Sequence, residues 1–303
     1  MDVLVTGAHG LIGSALIPRL RAEGHRVVRL VRDDPEGSDD VRWDPSAGTI
    51  DASGLDGVDA VVHLAGAGIG DKKWTPARKQ LILDSRTRGT ELLARTLAGL
   101  ARPPRVLLSG SAVGYYGDRG AEELTEASRP GDDFPARVCV AWEAATFAAE
   151  EAGIRVVHLR TGIVLAAHGG ALQRMVLPFR LGLGGRIGSG EQYMSWVALD
   201  DHVGAMVHLL GDDSMRGAVN LTAPRPATNA EFTRALGAAL HRPTALPTPL
   251  LPLKVIYGGE LVDALLVHGQ RALPRALEHS GYRFEHAQLD DALRAVLAAP
   301  AAA

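Results

Sequence analysis

The stretch Val3-Leu4-Val5-Thr6-Gly7-Ala8-His9-Gly10-Leu11-Ile12-Gly13 decides the fold class of this chain. Its β-branched start predicts a buried strand over 3–6, and the apolar spacing that follows predicts a helix over 11–22. Three glycines in the spacing Gly-x-x-Gly-x-x-Gly lie between them. Glycine patterns alone are weak signals, but a strand before and a helix after indicate a turn that binds the diphosphate of a dinucleotide.

Each glycine of this turn has its own physical role. Gly7 allows the tight turn, Gly10 lets the backbone approach a pyrophosphate, and Gly13 lets helix and strand pack closely. The first helical N–H groups, those of Leu11 and Ile12 included, then face the anion at the positive end of the helix. We therefore predict cofactor contacts at these five residues. The alternative is a glycine-rich turn without a ligand.

Strand and helix patterns alternate through the first half of the chain. Strands are predicted over 27–31, 58–64, 106–109 and 156–159, and helices over 75–101 and 135–152. This alternation predicts a parallel sheet covered by helices on both faces, a doubly wound Rossmann-type α/β fold. We predict a dinucleotide-binding domain over 1–165.

The pattern changes after about residue 165. Glycine-rich loops are followed by a capping box at Thr228 and Glu231, a proline-rich stretch over 243–252 and an amphipathic helix near the C-terminus. The prolines predict an extended connection. We predict a smaller mixed α/β substrate lobe over 166–303, with residues 195–225 crossing back to the first domain and a frayed tail over 298–303.

Composition excludes several classes of protein. The 32 Lys and Arg residues against 35 Asp and Glu leave a net charge of -3, which gives no drive toward nucleic acid or acidic membranes. No stretch reaches the roughly 20 apolar residues of a membrane helix. The single cysteine, Cys139, excludes an internal disulfide, and the histidines lack metal-ligand spacing. We predict a cytoplasmic monomer or homodimer that acts on a small molecule without a metal, nucleic acid or membrane.

The end of the second predicted strand bears on the choice of cofactor. It reads Leu30-Val31-Arg32-Asp33. An acid in this place accepts a hydrogen bond from the 2'-hydroxyl of NAD, whereas the guanidinium of Arg32 can pair with the 2'-phosphate of NADP. The sequence favours NADP. Asp33 leaves NAD open, because a shift of one residue would place an acid near the ribose.

The sequence resembles the extended, sugar-nucleotide-epimerase-like form of the short-chain dehydrogenase/reductase superfamily. The glycine turn, the segment 59–66, Gly89-Thr90 and the segment 109–118 carry this resemblance. More narrowly, the chain is similar to an atypical branch called "epimerase family protein", through Trp74, Lys79, Ser85-Arg86, Trp142-Glu143, the segment 160–165, Ser195-Trp196 and Gly269-Gln270-Arg271.

The resemblance implies further contacts with cofactor and substrate. Leu64, Ala65 and Gly66 match a strand end that meets the cofactor. Arg160, at the end of a later strand, is a candidate on the nicotinamide side. Trp196 lies in a segment that faces the sugar nucleotide in the related epimerases, and core packing is its equal alternative.

One departure from the superfamily concerns catalysis. Active members carry Tyr-x-x-x-Lys at the start of the helix predicted here over 135–152. In this chain Pro135 matches the tyrosine and Cys139 the lysine, and neither can replace the lost group. The segment 134–143 contains no Tyr or Lys at all. We therefore expect the ordinary catalytic dyad to be absent.

Three residues are candidates for the remaining chemistry. Ser111 matches the serine that hydrogen-bonds the reacting oxygen, with a purely structural serine as the alternative. Tyr116 follows the same strand and is our predicted proton donor, although an unassisted tyrosine titrates near 10. Arg86 replaces an asparagine of the superfamily and is either a ligand for a substrate anion or half of an ion pair.

Two functions follow from these residues. The first is an NADP-dependent oxidoreductase or epimerase-like enzyme acting on a small hydroxyl or carbonyl compound, nucleotide-linked compounds included. The second is a catalytically silent NADP-binding module that senses redox state or serves a protein partner, an alternative motivated by the missing dyad.

Overall fold

A computed structural model of the chain describes residues 1–298 and is built on one large sheet. The strands are β1 (Asp2–Thr6), β2 (Arg26–Val31), β3 (Asp40–Asp44), β4 (Thr49–Ile50), β5 (Ala60–His63), β6 (Val106–Ala112), β7 (Glu123–Leu124), β8 (Arg155–Thr161), β9 (Ile163–Leu165), β10 (Tyr193–Met194), β11 (Trp196–Ala198), β12 (Gly217–Leu221), β13 (Ala227–Thr228) and β14 (Arg271–Ala272). The large sheet has the order β12-β8-β6-β5-β1-β2-β3-β4. Its neighbours are parallel except β3 and β4.

Helices cover both faces of this sheet. They are α1 (Leu11–Ala22), α2 (Pro76–Ala98), α3 (Phe134–Ala144), α4 (Phe147–Glu151), α5 (Gly170–Arg180), α6 (Leu199–Gly211), α7 (Asn229–Ala239), α8 (Leu250–Tyr257), α9 (Gly259–Val262), α10 (Arg275–His279) and α11 (Leu289–Ala298). Apolar residues of α1 and α6 pack on one face of the sheet, and those of α2 and α4 pack on the other. The predicted doubly wound Rossmann-type α/β fold is confirmed.

The strand order places a crevice between β1 and β5. The chain runs from β1 outward to β2 and β3, and then returns to the other side of β1 through β5. Ligands of open α/β sheets bind at the carboxyl ends of the strands where the order reverses. The glycine turn follows β1 at this edge, and residues 64–66 follow β5.

His63 fastens the two strand ends together. Its ring nitrogens lie 2.8 Å and 2.9 Å from the hydroxyl oxygens of Thr6 and Thr90. The Thr6 hydroxyl also accepts hydrogen bonds from the backbone N–H groups of Leu64 and Ala65, each at 3.1 Å. One buried threonine and one buried histidine therefore set the position of the loop after β5 against the turn after β1.

Two predicted elements differ from the structure. The helix predicted over 135–152 is two helices, α3 and α4, and Thr146 at the break donates its hydroxyl to the carbonyl of Glu143. The extended connection predicted over 243–252 ends early, because α8 begins at Leu250. Pro252 is tolerated there since the first turn of a helix does not use its N–H groups.

The second half of the chain forms its own core and also contributes to the large sheet. β12 pairs in parallel with β8, while Trp196 and Phe232 are buried in a separate cluster with residues of α5, α7 and α11. The division at residue 165 stays a prediction. Ala298 ends α11, and the rest of the tail predicted to fray, 299–303, lies outside the described residues. No helix within 1–298 is long and apolar enough to cross a bilayer.

We expect the buried His63 to make the fold acid-sensitive. Burial lowers the pKa of His63 from 6.5 to about 4, so between these values the unfolded chain binds a proton that the folded protein excludes. Stability is therefore lost as the pH falls through this window, by roughly 2 kcal/mol between pH 7 and pH 5 for this residue. Urea unfolding of His63→Gln should show a loss that is smaller by this amount.

The exposed His279 provides the control for this experiment. His279→Gln should keep the full loss of stability between pH 7 and pH 5, because the side chain of His279 is exposed in the folded protein. Equal losses in the wild type and His63→Gln would contradict the role given to His63.

Candidate cofactor and active site

The glycine turn after β1 is closed by contacts that only glycine permits. Gly7 has a φ of +69°, and a Cβ there would lie 3.0 Å from the carbonyl carbon of Leu64. A Cβ on Gly13 would lie 2.3 Å from the carbonyl oxygen of Gly7, which is far inside van der Waals contact. The N–H of Gly10 donates to that same oxygen at 2.9 Å. The turn therefore brings the start of α1 directly against the end of β1.

The start of α1 is suited to an anion. Gly10 is its N-cap and has no side chain to occupy the first N–H groups, and the first turn contains no acidic residue. The N–H groups of Leu11 and Ile12 thus remain at the positive end of the helix without a capping side chain from the described part of the chain. Because the turn leaves bare backbone beside the loop 64–66, these residues fit the diphosphate of a dinucleotide.

Arg32 follows β2 at the edge of the same crevice. It is exposed and forms no hydrogen bond or ion pair with any residue in 1–298, and Asp33 beside it is exposed too. Arg29, by contrast, is held by Asp40 through two hydrogen bonds of 2.7 Å and 2.8 Å. The guanidinium of Arg32 is therefore available to a ligand, whereas that of Arg29 is not.

Arg86 is a largely buried cation without a carboxylate partner among the described residues. Its Nη1 donates to the backbone carbonyls of Ala67 at 2.8 Å and Ile82 at 3.2 Å, and its guanidinium lies 4.9 Å from the ring centre of Trp142. Burial lowers the pKa of this guanidinium. A Cβ on Gly66 would lie 3.5 Å from it, so Arg86 borders the loop after β5. The alternative that Arg86 is half of an ion pair is therefore not supported within residues 1–298.

A closed hydrogen-bond network fills the space between β6, α3 and β8. The Ser111 hydroxyl donates to Glu143 Oε1 at 2.6 Å, and Arg160 donates to both oxygens of Glu143 at 2.8 Å and 2.9 Å. Arg160 Nη1 also donates to the Tyr116 hydroxyl at 3.1 Å, which in turn donates to Asn220 Oδ1 at 2.7 Å. Each side chain of this network therefore has its hydrogen-bond partners within the protein.

This network contradicts three predicted roles. Tyr116 is completely buried, burial raises its pKa to about 12, and its proton is committed to Asn220, so it cannot donate to a substrate. Ser111 spends its only proton on Glu143 rather than on a reacting oxygen. Arg160 is 4% exposed, and its guanidinium is held by both oxygens of Glu143 rather than left open to a cofactor.

The predicted substrate contact of Trp196 is also wrong. Its side chain is completely buried in the core of the second half of the chain, and its indole N–H donates to the carbonyl of Arg225 at 3.0 Å. The alternative of core packing is therefore correct.

A cavity that the sequence did not indicate opens at the start of α3. It has a volume of about 280 Å³ and is lined by Trp74, Asp133, Phe134, Pro135, Glu260, Asp263, Ala264 and His268. Asp133 and His268 were not predicted as site residues. The available signals were the N-cap position of Asp133 and the place of His268 just before Gly269-Gln270-Arg271, and neither signal shows that the two residues meet.

Comparison with known proteins identifies the family of this chain. The model of the "NAD dependent epimerase/dehydratase family" matches residues 3–221. The chain belongs to this family. A second model, "Domain of unknown function (DUF1731)", matches residues 248–296, which include α8, α9 and the cavity residues Glu260, Asp263 and His268.

Relatives match this chain over 96% to 98% of its length. The "Epimerase family protein Mb2239" of Mycobacterium bovis is 45% identical over 293 residues, 96% of each chain. The crystal structure of human epimerase family protein SDR39U1 (isoform2) with NADPH has a TM-score of 0.90 and 36% identity, over 98% of this chain and 99% of that one. A nucleoside-diphosphate sugar epimerase from Corynebacterium glutamicum has a TM-score of 0.81 and 35% identity, over 98% of this chain and 58% of that one. The predicted resemblance is confirmed.

The two residues predicted to match the catalytic dyad, Pro135 and Cys139, both lie in α3. Pro135 lies in the first turn of α3 and lines the cavity. Cys139, one turn further along, is 4% exposed, and burial raises the pKa of its thiol to about 12. Neither residue offers a proton or a fixed charge to a ligand.

We expect Glu143 to be needed for stability. Its side chain and that of Arg160 are 12% and 5% exposed. Because Glu143→Gln leaves the Arg160 guanidinium buried without its counter-charge, the variant should lose about 3 kcal/mol in urea unfolding. The exposed pair of Arg119 and Glu122 is the matched control, and Glu122→Gln should cost less than about 1 kcal/mol. A similar small effect for both variants would rule out a supporting role for the network.

Proposed function

We propose that this protein binds NADPH and acts as an oxidoreductase or epimerase-like enzyme on a small hydroxyl or carbonyl compound. Two features carry the proposal: the start of α1, where no side chain caps the first N–H groups, and the exposed Arg32, which has no partner within residues 1–298. The first binds a diphosphate and the second a 2'-phosphate. The NADPH in the human relative's structure supports the same cofactor. When bound, the reduced nicotinamide supplies a hydride to a carbonyl carbon.

The residues that border the cofactor crevice favour a substrate with an anionic group. Arg86 carries a charge that no described carboxylate neutralises, and its place beside Gly66 puts it at the loop after β5. A carboxylate or phosphate on the substrate would satisfy this guanidinium with charge-assisted hydrogen bonds. We propose that Arg86 binds this anion and that the substrate extends toward the cavity at Pro135. The cytoplasmic location and the monomeric or homodimeric state stay predictions.

The silent NADP-binding module remains the second candidate. The observation in its favour is the closed network of Ser111, Glu143, Arg160 and Tyr116, which leaves the two predicted catalytic hydroxyls without a free proton. Incubation with NADPH and a broad panel of carbonyl compounds separates the two functions. Substrate-dependent loss of absorbance at the nicotinamide band supports the enzyme, and a silent protein that still binds NADPH supports the module.

Arg32→Ala tests the cofactor assignment. The wild type should bind NADPH more tightly than NADH, because a charge-assisted contact to the 2'-phosphate contributes about 1.5 to 3 kcal/mol. Isothermal titration calorimetry should show this preference equalised or reversed in Arg32→Ala, with NADH affinity unchanged. Equal affinities for the two cofactors in the wild type would refute the role given to Arg32.

Arg86→Gln tests the substrate class. In the presence of NADP, carbonyl compounds with a carboxylate should bind at least about 10-fold more tightly than their uncharged amides, which corresponds to roughly 1.4 kcal/mol. The variant should lose this difference. Arg88→Gln is the matched control, since Arg88 lies on the same helix but faces solvent beside Asp84. The idea fails if Arg86→Gln retains the preference for the carboxylate.

A further inference from the structure

We propose that His268 is the residue that transfers the proton in this protein, with Asp133 as the group that orients its ring. Both residues line the cavity at the start of α3, and so does Pro135, which stands at the position matched to the missing tyrosine. The proposal rests on the proposed NADPH-dependent reaction, because it assigns the proton donor that this reaction requires.

His268 and Asp133 are neighbours in the cavity wall. The Nδ1 atom of His268 lies 4.0 Å from Asp133 Oδ2. It is buried and has no hydrogen-bond partner within residues 1–298. Asp133 Oδ1 accepts the N–H of Ala136 at 2.9 Å, which fixes the carboxylate as the N-cap of α3 and leaves Oδ2 for the histidine. Catalytic hydrogen bonds are often long before a ligand binds, and closure by about 1 Å would form this one.

The other ring nitrogen of His268 is open. Nε2 forms no hydrogen bond with any described residue and is not among the buried unpartnered atoms, and the side chain is 34% exposed. One nitrogen therefore faces a carboxylate inside the protein, while the other is free to meet a ligand. This division of roles is what a histidine acid or base needs, since the partner of one nitrogen determines where the proton resides.

The backbone around His268 is held in place on both sides. Its own N–H donates to the carbonyl of Asp263 at 2.7 Å, and the N–H of Gly269 donates to Asp118 Oδ1 at 3.2 Å. The side-chain amide of Gln270 donates to the carbonyl of Gly117 at 3.0 Å. Residues 268–270 are thus fastened to the loop after β6, the strand that carries Ser111.

The proton balance of the proposed step is simple. In reduction, the Nε2–H bond of the imidazolium would break as an O–H bond forms on the substrate oxygen, and the hydride taken up by the carbonyl carbon would come from bound NADPH. Loss of this proton would convert the imidazolium into a neutral imidazole that keeps its other proton on Nδ1, directed at Asp133. Oxidation of the alcohol runs the same transfer in reverse, with Nε2 as the base.

Asp133 is not the only carboxylate near the His268 ring, but the other two are held by lysines. Besides Asp133, the carboxylates of Glu260 and Asp263 line the cavity. Glu260 is paired with Lys79, and Asp263 is paired with Lys254 at 2.7 Å. Of these three carboxylates, Asp133 is the one that lies within 4.0 Å of a ring nitrogen of His268, whereas the other two are each held by a lysine.

The first test measures where the proton resides and needs no substrate. Nitrogen-detected NMR of 15N-histidine-labelled protein, with His268 assigned through His268→Gln, should place the proton of the neutral ring on Nδ1. Asp133→Asn should shift it toward Nε2, because the amide no longer offers a carboxylate to Nδ1–H. A neutral ring protonated on Nε2 in the wild type, or a tautomer that Asp133→Asn leaves unchanged, would overturn the proposal.

The second test uses turnover. With a carbonyl compound found active in the panel, His268→Gln should lower kcat by at least about 100-fold and remove one limb of its pH profile, since acid-base groups contribute 10²- to 10⁴-fold. NADPH affinity should stay within twofold, and the exposed His279→Gln should behave as wild type. Full activity of His268→Gln would sink the assignment. A wild-type protein that does not bind NADPH would instead refute the proposed function, while the NMR experiment would still test the pairing of His268 with Asp133.

Discussion

The contact between Gly13 and the carbonyl oxygen of Gly7 is the constraint on which the rest of the structure depends. Because a Cβ at residue 13 would lie 2.3 Å from that oxygen, helix α1 can approach the end of β1 only where the side chain is a hydrogen atom. This approach brings unpaired N–H groups to the edge of the sheet beside β5. The helix is then positioned both to cover the sheet and to receive a diphosphate, so one steric fact serves folding and binding together.

The same edge of the sheet shows how differently equivalent positions can be used. Thr6, His63 and Ser111 all lie at or near the ends of neighbouring strands, where catalytic groups are common in open α/β folds. In this chain all three are consumed by internal hydrogen bonds that join strands, helices and loops. In our proposals the chemistry falls instead to residues of other segments, Arg86 of α2 and His268 of the second half of the chain.

The fold was predictable to a large extent, because hydrophobic periodicity and the glycine turn are local signals. The glycine turn, the parallel sheet and the capping box at Thr228 could be predicted from residues that are close together in the sequence. The roles of Ser111 and Tyr116 were not predictable in this way. Their partners, Glu143 and Asn220, are 32 and 104 positions away, and only the folded chain shows that each hydroxyl is already bonded. The meeting of Asp133 with His268 was missed for the same reason.

The buried surroundings of Cys139 determine what a lysine at this position would meet. Its thiol lies in a pocket formed with Ser111 and Glu143, close enough to Arg86 for that cation to affect its ionisation. An ammonium group placed here by substitution would be desolvated, attracted by the carboxylate of Glu143 and repelled by the guanidinium of Arg86. The pair of substitutions Pro135→Tyr and Cys139→Lys would therefore restore the letters of the motif without its chemistry, because the new ammonium would compete with Arg160 for the carboxylate of Glu143.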